Sequence, residues 1–154
     1  MLFMPAIKNI YSYKQYKELL QQLAASGKTT GSDPSVEHTE LTKVNCHRME
    51  RIEKTWKLRE ELKTQLLSVR EKWMWLVLAE SWCADGAQNI PVIAQMAGVS
   101  SNIELKIILR DENPDIMDAY LTNGSRSIPR LVCFDSETGL ELGLWGPKPA
   151  AIQQ

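Results

Sequence analysis

What this sequence has little of narrows its chemistry. It holds three cysteines, an odd number with no repeated spacing, so it carries no disulfide framework. It has two histidines. His38 with Cys46-His47 gives no known ligand spacing and leaves no fourth ligand, so no metal is expected, and no residue pattern asks for a cofactor. No apolar run approaches the roughly 20 residues of a membrane span. Met1 to Tyr11 lacks a basic start followed by a hydrophobic core, so a cytoplasmic protein is expected. An excess of one charge is also missing. The formal net charge of -1 gives no reason to expect nucleic acid or an anionic membrane as partner. Gly27-Lys28-Thr29 lacks the earlier glycine of a phosphate loop, with Gln22 in its place, and no strand precedes it.

What is present describes a soluble domain. With 154 residues, 44% hydrophobic and 24% charged, one compact domain with a substantial core is expected. The stretch from Trp73 to Ile93 organises it. Trp73 to Ala79 is a short apolar run suited to a buried strand. Glu80 and Ser81 follow, then Trp82 and Cys83. From Ala84 the apolar residues Ala87, Ile90, Val92, Ile93 and Met96 take helical spacing, and Gly98 ends that helix. A strand entering a helix through Trp82-Cys83 leaves the thiol at the helix N-terminus. Unpaired N–H groups there favour a negative charge and lower a thiol's pKa. A second marker is Arg126-Ser-Ile-Pro129, which opens the apolar strand Arg130 to Asp135 with a proline where a missing N–H is tolerable.

Together, Trp82-Cys83, the in-helix Pro91 and Arg126-Ser-Ile-Pro129 resemble the thioredoxin superfamily over about residues 72–146. The resemblance implies an α/β fold, a central mixed β-sheet flanked by helices, with Pro129 cis and facing Cys83. A closer resemblance is to a bacterial branch with an added helical N-terminal region. It rests on Asn45, Arg48-Met49, Arg51 to Thr55, Arg110 to Asn113, Met117 to Gly124 and Trp145-Gly-Pro147. On this reading residues 1–71 are a helical extension packed on a core of residues 72–154. In thioredoxins a final helix follows Trp145-Gly-Pro-Lys-Pro149; here only five residues remain, so most of that helix is expected to be missing.

Further elements follow from the pattern. Ser12 is a plausible N-cap for a helix to about Ala25, with Gly27 as its stop. Residues 27–35 form a loop. His38 to Arg70 is charged and helical, with a break near Thr55. Its basic residues, interleaved with Glu50, Glu53, Glu60 and Glu61, describe a solvated face. The sharper alternative is that Asn45, Arg48 and Arg51 face the cysteine and select an anionic thiol. Ile103 to Leu109 is a strand and Pro114 to about Leu121 a short helix. Asp111, Glu112, Asp115 and Asp118 are expected partly as helix-start acids. Ser136 to Gly139 turns into a last strand at Leu140 to Leu144.

A dithiol oxidoreductase needs a second cysteine three positions after the first. Here that position is Gly86, so the site Cys83-Ala84-Asp85-Gly86 is monothiol. The acid that assists proton transfer in thioredoxins would fall near Val77, which is apolar. A helix N-terminus gives about 0.3–1 kcal/mol, at most about 2. That is roughly one pKa unit, and Asp85 opposes it. Arg130, beside Pro129, is expected to matter more to thiolate formation. Two functional classes stand, beside a third reading in which Cys46 or Cys133 resolves Cys83. In one, Cys83 exchanges with a protein or low-molecular-weight thiol or disulfide, with Trp82, Ile128, Pro129 and Arg130 against the substrate and Ala84, Asp85, Gly86 and Arg126 modulating it. In the other, the groove around Trp82, Ile128 and Pro129 binds an extended peptide and Cys83 is incidental. Oligomeric state is not legible.

Overall fold

The structure, a computed structural model, describes residues 6–147. The chain runs α1 (Tyr13–Ala25), α2 (Val36–Thr55), α3 (Glu60–Leu67), β1 (Trp73–Ala79), α4 (Ala84–Ala97), β2 (Ile103–Leu109), α5 (Pro114–Asp118), β3 (Arg130–Asp135) and β4 (Glu141–Trp145). The four strands form one mixed sheet in the order β2-β1-β3-β4. β1 pairs in parallel with β2 and antiparallel with β3; β3 and β4 are antiparallel. The outer edge of β2 is met by Tyr11, whose N–H and C=O both bond Ile107 at 2.8 Å. This is the thioredoxin-like α/β arrangement that the resemblance implies. The expected absence of a final helix concerns residues that lie outside the described ones.

β1 explains the layering. Its residues alternate across the sheet, and both faces are covered, so a continuous apolar run is the stable choice. Trp75, Val77 and Ala79 join Tyr16, Leu20, Met49, Ala87, Ile90 and Ile107 in one core. Leu76 and Leu78 join Ile108, Ile116, Met117, Val132 and Phe134 in the other. Each fully buried Leu or Ile contributes about 1.5–3 kcal/mol of transfer free energy. α2 packs on α4, and α1 on α2, so the N-terminal helices cover the face that carries the site helix.

Helix boundaries follow local chemistry. Ser12 caps α1 through a reciprocal pair with Gln15, and Gly27 takes φ of 67° beyond its end. α2 and α3 are separate, divided at Trp56 in extended backbone. α5 is shorter than the pattern suggests. After Asp118 the N–H groups of Ala119 and Tyr120 reach back three residues, to Ile116 and Met117, which tightens and ends the helix. The last strand starts one residue late, because the Leu140 carbonyl closes the hairpin on the Asp135 N–H. The acidic run meets the expectation in part. Asp115 lies in the first turn of α5, but Asp111 pairs with Arg110, and Asp118 with Arg126.

Gly146 shows how closely the last strand approaches the loop before β3. Its φ is 112°, and a Cβ built there would lie 2.1 Å from the Pro129 carbonyl oxygen. Backbone cannot yield as a flexible side chain does. Gly146→Ala is therefore expected to cost about 3 kcal/mol or more, combining backbone strain with overpacking. The check is a lowered urea midpoint with an unchanged slope.

Candidate functional site

The site is built where β1 runs into α4. Cys83 is the N-cap of α4, with Ala84 exposed as the first helical residue, Asp85 partly exposed and Gly86 buried. Cys83 is 9% exposed. Its Sγ accepts from the Gly86 N–H at 3.4 Å and donates to the Ile128 carbonyl at 3.4 Å. Ile128 and Pro129 are buried, and the peptide between them is cis. Strand β1 and the loop before β3 thus bring together residues about 45 positions apart in sequence.

These two contacts act in opposite senses. A carbonyl accepts only from the neutral thiol, whereas an N–H favours the thiolate. Burial pushes the Cys83 thiol above its ordinary value, and the Asp85 carboxylate adds to this. The N–H groups of Gly86 and Asp85, and the Arg110 guanidinium, pull downward without cancelling it. The helix N-terminus lowers the thiol pKa as expected, but burial outweighs it and the net direction is upward. Desolvation can shift a fully buried group by about 3–5 units, against roughly one from a helix end.

Arg130 makes other contacts. Its guanidinium is committed to the carbonyls of Tyr120 (3.2 Å) and Gly146 (2.9 Å), tying β3 to its neighbours. A cation whose charge favours the Cys83 thiolate is Arg110, directly after β2. Its Nε donates to Asp111 at 2.9 Å and its Nη1 to the Arg126 carbonyl at 3.2 Å. Arg126 in turn makes a two-pronged pair with Asp118, at 2.8 and 2.9 Å.

Trp82 is enclosed more than a groove residue would be. His38 stacks on its ring at 4.3 Å and 9°, and Arg110 lies 5.0 Å from the ring centroid. Its buried indole N–H has no hydrogen-bond partner among the described residues. Gly31, with φ of 91°, passes so near that a Cβ would lie 2.9 Å from that nitrogen and 2.7 Å from the Glu80 carboxylate. From α2, Asn45 and Arg48 reach this region: Asn45 donates to the Ser81 carbonyl at 2.8 Å, and Arg48 to Asn45 at 3.0 Å. Arg51 is exposed.

Sequence reasoning passed over several contributors. Glu80 is 1% exposed, and burial raises its pKa, although the Asp111 N–H and Thr30 hydroxyl that it accepts from resist this. The Ser81 hydroxyl meets Thr42 at 2.7 Å, the Thr30 N–H at 3.0 Å and Thr29 at 3.2 Å. The available signal was a polar Glu-Ser pair directly after a buried strand, where burial makes partners obligatory. Trp73, Trp75 and Trp145 line a different feature. With Ile93, Met96 and Leu131 they form an apolar groove of about 480 Å³ that Cys83 does not line.

Strand order, the cysteine-capped helix and the proline loop opposite it define a thioredoxin-like protein. A family model described as Thioredoxin matches residues 31–154, and the chain belongs to that family. Two solved structures share the fold, each with 22% identity and a TM-score of 0.60, covering 93% of this chain and 81% of theirs. One is a crystal structure of a protein of unknown function from Pseudomonas aeruginosa, the other that of an HIV epitope-scaffold. No curated protein matches the chain. No helix among the described residues is long and apolar enough to cross a membrane.

Arg110→Met removes the charge while keeping a long side chain over Trp82. The Cys83 pKa, already above the ordinary thiol value, is expected to rise further. Thiolate is lost as pH falls through that pKa, so the ultraviolet thiolate absorbance of Cys83 should appear at still higher pH. Arg130→Met should leave the midpoint in place.

Proposed function

We propose that this protein carries out monothiol thiol–disulfide exchange through Cys83. The supporting observation is the position of Sγ between the first-turn Gly86 N–H and the Ile128 carbonyl, directly before Pro129. In the first step the Cys83 proton passes to solvent base, and the thiolate attacks one sulfur of a client disulfide. The client S–S bond breaks, a Cys83–client disulfide forms, and the other client sulfur leaves as thiolate. In the second step a low-molecular-weight thiol attacks the mixed disulfide and Cys83 leaves as thiolate. The thiol is then joined to the client sulfur. A second molecule of the thiol attacks this disulfide and the client sulfur leaves as thiolate. One client disulfide is thereby reduced as two thiols are oxidised to a disulfide, two electrons passing in all.

Residues around Cys83 divide the work. The Gly86 N–H supports charge on sulfur in attack and departure. The loop at Ile128 and Pro129 is the surface against which an extended client lies, and only the edge of Trp82 is left to border it. Arg110 supplies the positive field, with Arg126 and Asp118 holding it in place. The α1–α3 region serves as an extension on the core that starts near residue 72. A reducing cytoplasm, where three free thiols persist, suits this chemistry.

A second reading is a redox-inactive fold that binds extended peptides in the same groove. The raised thiol pKa of Cys83 favours it, because a neutral buried thiol is a poor nucleophile. The two readings separate on treating the reduced protein with a small disulfide and mapping adducts by mass spectrometry. Exchange predicts an adduct on Cys83 ahead of Cys46 and Cys133, its rate climbing with pH through and above the ordinary thiol range. Labelling of Cys83 no faster than the other two would select the binding module.

Gly86 also permits a gain-of-function test. A Cβ at this position would lie 3.7 Å from the Cys83 Cβ and meets nothing closer than 3.6 Å. Disulfides span about 3.5–4.5 Å between Cβ atoms. Gly86→Cys is therefore expected to form a disulfide with Cys83 and release a trapped adduct without added thiol. Persistence of the adduct in Gly86→Cys would count against the proposed approach of client to Sγ.

A further inference from the structure

The link between β1 and α4 is a four-residue turn, closed by the Cys83 N–H on the Glu80 carbonyl at 3.1 Å. Ser81–Trp82 is therefore its central peptide. The two commonest turn types differ by a flip of this one peptide, which reverses its carbonyl while the turn ends move little. Such a flip would put Trp82, the third residue of the turn, at positive φ, strained for a tryptophan, so it could not occur without displacing the turn that carries Cys83.

One side chain opposes the flip from another element. Asn45, fully buried on α2, donates Nδ2 to the Ser81 carbonyl at 2.8 Å. Its own oxygen accepts from Arg48 at 3.0 Å, which fixes the direction of the amide. Ser81 is held at its other groups as well: its N–H donates to the Thr30 hydroxyl at 2.8 Å, and its hydroxyl meets that of Thr42 at 2.7 Å. After a flip the Asn45 N–H and the Ser81 carbonyl would both need new partners in a dry site.

We propose that Asn45 is a positioning residue that locks the Ser81–Trp82 peptide and so holds Cys83 Sγ between the Gly86 N–H and the Ile128 carbonyl. The consequence for exchange rests on the redox reading given above, but the placement of the thiol does not. The N-terminal helices thereby set the reactivity of the cysteine, in addition to covering a sheet face.

Asn45→Asp is the sharpest variant. It keeps the shape and the acceptor for Arg48, but turns an oxygen toward the Ser81 carbonyl, so two acceptors face each other. The readout is the iodoacetamide rate of Cys83 against pH, normalised to Cys133 in the same sample. The expected result is a rise in apparent pKa and a roughly tenfold slower reaction at neutral pH, the scale of one lost hydrogen bond to a charged group. A lower unfolding midpoint with an unchanged normalised profile would mean a structural role alone and overturn the proposal. If Asn45→Asp does not fold, Thr42→Val, which removes one hydroxyl from the Ser81 cluster at constant shape, is read the same way. A few-fold change in the profile supports the lock, and none overturns it. Should wild-type Cys83 form no mixed disulfide, the redox reading alone falls, since the alkylation profile still decides the role of Asn45.

Discussion

Polar groups that a buried turn takes out of water need partners, and much of this site follows from how Glu80 and Ser81 find theirs. Glu80 and Ser81 end a strand covered on both faces, each 1% exposed. Leaving any of their donors or acceptors unpaired would cost about 1–3 kcal/mol apiece. Partners come from three distant places: Thr30 in the loop after α1, Thr42 and Asn45 on α2, and the Asp111 N–H after β2. The N-terminal helices therefore do more than shield apolar surface. They complete the hydrogen bonding of the turn that presents Cys83.

The same burial determines the character of the thiol. Helix-end N–H groups and the Arg110 charge both favour thiolate, yet removal from water outweighs them. A cysteine of this kind rests protonated, donating to the Ile128 carbonyl. Under the exchange proposed above, it would react when a partner displaced that contact or supplied a base, and selectivity would reside in access and geometry more than in a standing pool of thiolate. The Arg110–Asp111 and Arg126–Asp118 pairs fit this view, since each guanidinium is held by a carboxylate and the site carries a directed field without a large net charge.

Much of the architecture was legible before any coordinates. The β1 run, the switch to helical spacing after Cys83, the Ser12 cap and the Ile128-Pro129 strand opening are local signals, each tied to one backbone property. Monothiol character was legible too, since it needs only the identity of residue 86. Less legible were the ends of α5, which depend on three-residue closing bonds, and the roles of Asp111 and Asp118, whose partners are set by loop packing.

Residue type and short-range periodicity were enough for the order of elements, the cysteine at the start of α4 and the glycine that stands at position 86. Tertiary structure decided which cation faces the thiol, which way its pKa moves and what holds its turn. Arg110 and Arg130 are both arginines at a strand boundary, and nothing local separates them. Only the pairing of β1 with β2 on one side and β3 on the other commits Arg130 to backbone carbonyls and brings Arg110 over Trp82. Burial is likewise a property of the whole packed molecule, so its effect on a thiol cannot be read from the residues beside it.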